Sequence, residues 1–180
     1  SVLEEKRQAV ISHAVTKGLD PTVPLKPSNV EWLGDIPEHW EVKRLKHLLS
    51  FVTSGSRGWA EYYSDEGPLF IRITNLTRDS IELKYDDLQH VSPPNNSEGT
   101  RSKIRIGDLL ISITADLGSI AVADAGAEGA FVSQHVSLAR PVASFCESRW
   151  LGYTVFSEPS KKQFGMSGYG GTKVQLSLED

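Results

Sequence analysis

Apolar residues in positions 1–18 recur at helical spacing: Leu3, Val10, Ile11, Ala14 and Val15 form one stripe, with Glu5 and Lys6 among the outward charges. Gly18 is placed to cap the C-terminal end of that helix. No side chain reads as an N-cap, so the helix begins as though cut from a longer one. A short helix ahead of a domain has nothing local to pack on, which predicts a partner helix. Prolines then punctuate LDPTVPLKPSNVEWLGDIP, the pattern of an extended linker over residues 19–37, pinned on the domain by Trp32 and Leu33. Trp32 and Trp40 are expected to be core anchors. From WEVKRLKHLLSFV onward the period shortens. LFIRIT alternates as a strand, with Arg72, Thr74 and Asn75 at its far end, and IELKYDDLQHV follows as a second extended piece. SPPNNSEGT is a polar loop. KIRIGDLLISIT gives two strand pieces around a turn at Gly107 and Asp108. GSIAVADA and AFVSQHVSLARP are further strands, bridged by the turn at residues 126–129. A helix is predicted over Ser148 to Phe156, with Pro159 beginning or kinking another. GMSGYGG is expected to be a loop, and Ser177, Glu179 and Asp180 resemble the opening of a further helix. The fold class is therefore mixed α/β and strand-rich, with a twisted, largely antiparallel sheet flanked by short helices.

The 180 residues suit one compact domain with a short extra element. Cys146 is the sole cysteine, so no internal disulfide framework exists and a reducing compartment is expected. Its chemistry there is that of a small buried apolar residue. No apolar run approaches the roughly 20 residues of a membrane helix, and SVLEEKRQAV is too charged for a secretion signal. A soluble, cytoplasmic protein without a membrane partner is expected. The formal charge of −4 argues against nucleic acid as a partner. Whole-chain charge averages over faces, however, and Arg57, Arg72 and Arg78 cluster in one stretch, Arg101, Lys103 and Arg105 in another.

The stretch TSGSRGWAEYYSDEGPLFIRITN, residues 53–75, concentrates binding chemistry. Ser54, Gly55, Ser56 and Gly58 form a loop whose backbone can approach a partner closely. Arg57 offers a planar fork for phosphate or a guanine edge. Trp59, Tyr62 and Tyr63 are flat and half-polar. Trp59 is expected to brace the loop, since duplex bases are not exposed for stacking. Thr74, Asn75, Gln134 and His135 sit at strand ends and can offer hydrogen bonds to base edges, Asn and Gln suiting adenine. Gln134 and His135 equally suit the satisfaction of buried polar groups, and Arg72 equally suits a pair with Asp65 or Asp87. Tyr169 and Lys173 lie in the glycine-rich segment near the C-terminus, with Lys173 as a phosphate counter-charge. Nucleic acid is the partner that best suits this chemistry.

Catalytic patterns are sparse. There is no G-x-x-x-x-G-K-[ST], H-E-x-x-H, C-x-x-C or G-x-S-x-G in the chain, and no cofactor is expected. The histidines never fall at metal-ligand spacing. Two alternatives stay open: a metal-dependent nuclease using Asp79, Glu82 and Lys84, and a peptide-binding module using the aromatic loop and the first helix.

EKRQAVISHAVTKGLDPTVPLKPSNVEWLGDIPEHWEVKRL resembles the junction between a conserved helix and a target recognition domain in specificity subunits of type I restriction-modification enzymes. TSGSRGWAEYY, FIRITNL, IRIGDLLISITADLGSIAV, AFVSQHVSLARP and GGTKVQLSLED resemble successive segments of that domain. The resemblance covers nearly the whole chain and rests on the order of the segments. It implies a fragment, the second recognition domain of such a subunit: residues 1–18 as the end of the spacer helix, 19–37 as linker, 38–176 as the recognition domain and 177–180 as the start of the next helix. It also implies an α/β domain similar to the DNA-reading domain of some adenine methyltransferases. Such a domain reads one half of a split DNA target and catalyses nothing. The modification and restriction subunits are its partners, with a second recognition domain held through the spacer helices. No S-adenosylmethionine or ATP is bound by the chain itself.

Overall fold

The computed structural model describes residues 1–93 and 97–167. Its centre is an antiparallel sheet of β3 (Leu49–Ser54), β9 (Val136–Pro141), β6 (Leu109–Ser112) and β7 (Ile120–Val122), in that order. Branched side chains fill both faces. Leu109, Leu110, Ile120, Val136 and Leu138 are fully buried, each worth about 1.5–3 kcal/mol of transfer energy. A second sheet joins β4 (Tyr63–Ile71) to β5 (His90–Val91) on one side and to β8 (Phe131–Val132) on the other. The β4–β8 pairing is parallel. The expected single sheet is thus divided, because β4 pairs with residues far along the chain and not with the central strands.

Helix α3 (Ser148–Phe156) has the predicted bounds, and Pro159 lies in the first turn of α4 (Glu158–Ser167). That helix takes in Gly165, Met166 and Ser167, which were expected in a loop. Gly152 lets α3 lie on β7, since a Cβ there would come 2.5 Å from Val122 Cγ2. Ser97–Arg101 forms the short helix α2 inside the expected polar loop. The extended piece around residues 81–91 keeps only β5 as strand.

The N-terminal helix α1 (Val2–Lys17) departs most from expectation. Gly18 closes it at φ 79°, as its placement predicts. The helix also has a local surface to pack on. Ile11 joins the cluster of Val155 and Phe156, Gln8 Nε2 donates to the Phe156 carbonyl at 3.0 Å, and Ser12 Oγ accepts from the Glu158 amide at 3.0 Å. The stripe is not the one foreseen, for Leu3 and Val10 stay exposed. The linker is corrected too: β1 (Leu25–Pro27) and β2 (Asp35–Pro37) form an antiparallel hairpin. Trp40, edge-on to Trp150 at 5.7 Å, anchors it, whereas Trp32 is exposed.

Candidate nucleic-acid interface

Antiparallel pairing decides which loops meet. The C-terminal ends of β3 and β6 and the N-terminal ends of β7 and β9 share one end of the central sheet. The segments at residues 55–62, 113–119 and 133–135 therefore gather there. Gly55 joins the first to the third. Its amide donates to the Ser133 carbonyl at 3.2 Å, and a Cβ on it would sit 1.9 Å from the Val132 carbonyl oxygen. The close backbone approach expected of this glycine is thus made to its own chain, and Gly55 is buried.

Beyond Gly55 the loop divides into an exposed half and a buried half. Ser54 and Ser56 are half-buried and Arg57 and Gly58 are exposed. Gly58 adopts φ 83° to start the short 3-10 turn at Trp59–Tyr62. Trp59 then plugs inward, stacked on Phe70 at 5.4 Å and tilted against Phe131 at 5.3 Å, with Tyr62 edge-on at 6.1 Å. As a surface contact Trp59 is corrected, and the bracing role foreseen for it is observed. Tyr63 remains exposed beside Phe70.

Asn75 is also corrected. It does not end a strand but closes the 3-10 turn Ile73–Asn75, and it is buried. Its Oδ1 accepts from the Arg72 amide at 2.9 Å, and its Nδ2 donates to the carbonyls of Lys84 and Asp87 at 3.0 and 3.1 Å. With its hydrogen bonds committed internally, it has no edge to offer a base. Arg72 pairs with Asp87, not Asp65, at 2.8 Å. Thr74 alone of that turn is exposed. Gln134 and His135 are half-buried and bonded to each other, 3.0 Å between Nε2 atoms, and His135 Nδ1 lies 2.9 Å from Thr114 Oγ1. Tyr169 and Lys173 lie outside the described residues.

Of the first arginine group, Arg78 is ion-paired with Asp116 and Arg72 with Asp87. Arg57 remains exposed without a hydrogen bond or ion pair among the described residues. Arg101, from the second group, reaches the mouth of this loop, its Nη2 donating to Thr53 Oγ1 at 3.0 Å. Burial opposes ionisation of Asp116, yet hydrogen bonds from Arg78 and Ser119 hold its carboxyl below the usual range. Sequence reasoning did not single out residues 113–119 as part of a site. Their signals were modest: a polar T-A-D between apolar strands, and Ala115, which proves to hold φ 62°.

The described residues give the nuclease constellation no support. Glu82 is held in a two-point pair by Arg149, at 2.6 and 3.3 Å, and the described residues contain no group of three or more His, Cys, Asp or Glu able to hold a metal. Burial raises the Cys146 thiol, which disfavours the thiolate a nucleophile needs. No helix among the described residues is long and apolar enough to cross a membrane.

Solved structures share this fold. The fold is that of type I restriction-modification specificity subunits. One such structure, solved for complex assembly and conformational transition of the type I R-M system, superposes with TM-score 0.62 at 19% identity, over 99% of this chain and 40% of its own. The HsdS subunit from Thermoanaerobacter tengcongensis gives TM-score 0.59 at 18% identity, over 99% and 42%. The type I restriction-modification S subunit from M. genitalium gives 0.53 at 10%, over 90% and 33%. The chain thus spans less than half the length of these specificity subunits. No protein-family model matches the sequence, and no curated protein does.

Proposed function

We propose that this chain reads one half of a bipartite double-stranded DNA target for a type I restriction-modification enzyme, leaving methyl transfer and cleavage to partner subunits. The observation that carries the reading is the convergence of three segments at one end of a specificity-subunit fold, with exposed Arg57 and half-buried Gln134 among them. Residues 38–176 act as the recognition domain and residues 1–18 as the end of a spacer helix, through which a second recognition domain is held. Contacts come from Ser54, Ser56, Arg57, Gly58, Tyr62, Tyr63 and Thr74, with Gln134 beside them. Tyr169 and Lys173 are included on sequence grounds alone. Arg57 takes a guanine edge or a phosphate, and Arg101 supplies a second cation beside it. The protein works in the cytoplasm, without S-adenosylmethionine or ATP of its own.

Mapping methylation in cells whose specificity subunit carries an exchanged 38–176 region tests this directly. One half of the methylated motif should move with the region. An unchanged motif would overturn the reading. Arg57→Ala in the assembled enzyme should weaken binding to the cognate sequence by about 1–3 kcal/mol if a two-point base contact is lost. A loss equal across all sequences assigns Arg57 to the phosphates.

A further inference from the structure

We propose that Ala115 is a specificity-determining residue whose methyl group packs against the C5-methyl of a thymine in the major groove. The inference rests on the reading above, that the loop-bearing end of the central sheet faces a duplex. Its observation is a strained turn with an exposed alanine at the apex. The Asp116 amide donates to the Thr114 carbonyl, two residues back, at 2.7 Å, and Ala115 between them holds φ 62°.

That bond with a positive central φ makes a γ-turn of the rare and strained form. A Cβ is disfavoured in this region, and glycine is its default occupant. Among the described residues, positive φ otherwise falls to glycine or to Asn29, and asparagine tolerates it. Three residues after Ala115 the same loop uses Gly118 at φ 80°. The fold gives no reason for a methyl at the apex, since Ala115 is exposed and belongs to none of the buried clusters. A partner that uses the methyl gives one.

Strain of this kind gathers at functional sites and persists where the surroundings over-determine it. Here the Ile113 amide donates to the His135 carbonyl at 3.1 Å, and the Gly118 amide to the Ser112 carbonyl at 3.2 Å. Asp116 accepts from Ser119 Oγ at 2.6 Å and Arg78 Nε at 2.5 Å, while Ser112 Oγ bonds the Asp116 carbonyl. Phe164 of α4 closes over Gly118, where a Cβ would meet the ring at 2.8 Å. The same bonds occupy the polar neighbours of the apex: the Asp116 carboxylate is ion-paired, and Thr114 Oγ1 lies 2.9 Å from His135 Nδ1. The turn thus presents a methyl, with its one carboxylate neutralised, to a polyanion. The thymine methyl, displayed only in the major groove, is the base feature an apolar contact recognises. Backbone bonds to Ser133 and His135 tie the Arg57 loop and this turn to either side of Gln134, so one groove receives all three.

The test uses the complete specificity subunit assembled with its methyltransferase partner. Competition binding compares duplexes in which each thymine of the half-site is replaced in turn by uracil, which lacks only that methyl. The wild type should lose about fourfold in affinity at one replaced thymine, the equivalent of one buried methyl group. Ala115→Gly should lose about fourfold on the thymine duplex and bind the uracil duplex equally well. Ala115→Asn, which accommodates the same φ, should also lose the distinction. Amide exchange over residues 113–119 should be no faster in Ala115→Gly than in the wild type, because glycine suits the turn at least as well. A half-site without thymine on either strand, no uracil replacement that weakens the wild type, or uracil sensitivity retained in Ala115→Gly would overturn the contact. So would an equal loss on all sequences, or faster exchange in Ala115→Gly, which would make the alanine a structural choice. A wild-type assembly with no sequence preference at all would instead sink the parent reading.

Discussion

The two ends of the central sheet are built on opposite plans. At the end where β9 runs out and β6 begins, the connections close on themselves. Asp108 is buried and receives Arg140 Nε and Nη2 at 2.8 and 2.7 Å and the Arg105 amide at 2.8 Å. The Ala123 amide returns to the Asp108 carbonyl at 2.8 Å and the Gly107 amide to the Ala123 carbonyl at 2.8 Å. At the opposite end the segments carry half-buried or exposed polar groups, among them Arg57, Thr114 and Gln134. The same four strands thus hold a sealed end that fixes the scaffold and an open end whose side chains keep hydrogen-bonding capacity for a partner. Loops presenting function from a rigid sheet are a general solution; here the antiparallel register alone decides which loops share that end.

The largest effect should come from breaking the sealed end. Asp108→Ala leaves Arg140 without its carboxylate in a mostly buried setting and should cost about 3–5 kcal/mol, read from the urea midpoint. A change below about 1 kcal/mol would mean the ion pair behaves as a surface pair and the contrast between the ends is weaker than drawn. Gly55→Ala strikes the open end. Its Cβ collides with the Val132 carbonyl, so the loop must shift, at about 1–3 kcal/mol of stability and with loss of sequence-selective binding. If selectivity survived in a folded Gly55→Ala protein, the tight seating of this loop on Ser133 would not matter for reading. The smallest effect concerns Asp116. Its carboxyl is held below the ordinary value, so its contribution is present above the unfolded value of about 3.9 and disappears as pH falls through the lower folded one. Amide-exchange protection of residues 113–119 should therefore drop at acid pH, and Asp116→Asn should remove that pH dependence. The effect is modest because Arg78, its partner, is largely exposed.

Local signals were legible where chemistry and structure lie close in sequence. The helix Ser148–Phe156, the Gly18 cap and the turn at Gly107 with φ 86° follow from periodicity and glycine placement. Trp59 was legible as a brace because duplex bases offer no exposed face for its ring to stack on. Asn75 was misread because its partners, the carbonyls of Lys84 and Asp87, lie 9 and 12 residues away. A polar residue at the end of an apolar run looks the same whether it faces solvent or ties down a turn. The N-terminal helix was misread for a similar reason: α3 and α4, its packing surface, come more than a hundred residues later.

By itself the sequence determined the mixed α/β class, the helix Ser148–Phe156, and the concentration of glycine, arginine and amide chemistry in residues 54–58 and 134–135, because backbone preference and side-chain chemistry are properties of short stretches. Only the tertiary structure decided that β4 leaves the central sheet to pair with β8, that Gly55 lies against Ser133, and that Thr114 reaches His135. Those outcomes depend on strand register and close packing between segments distant along the chain, where many pairings share one local pattern and only mutual fit selects among them.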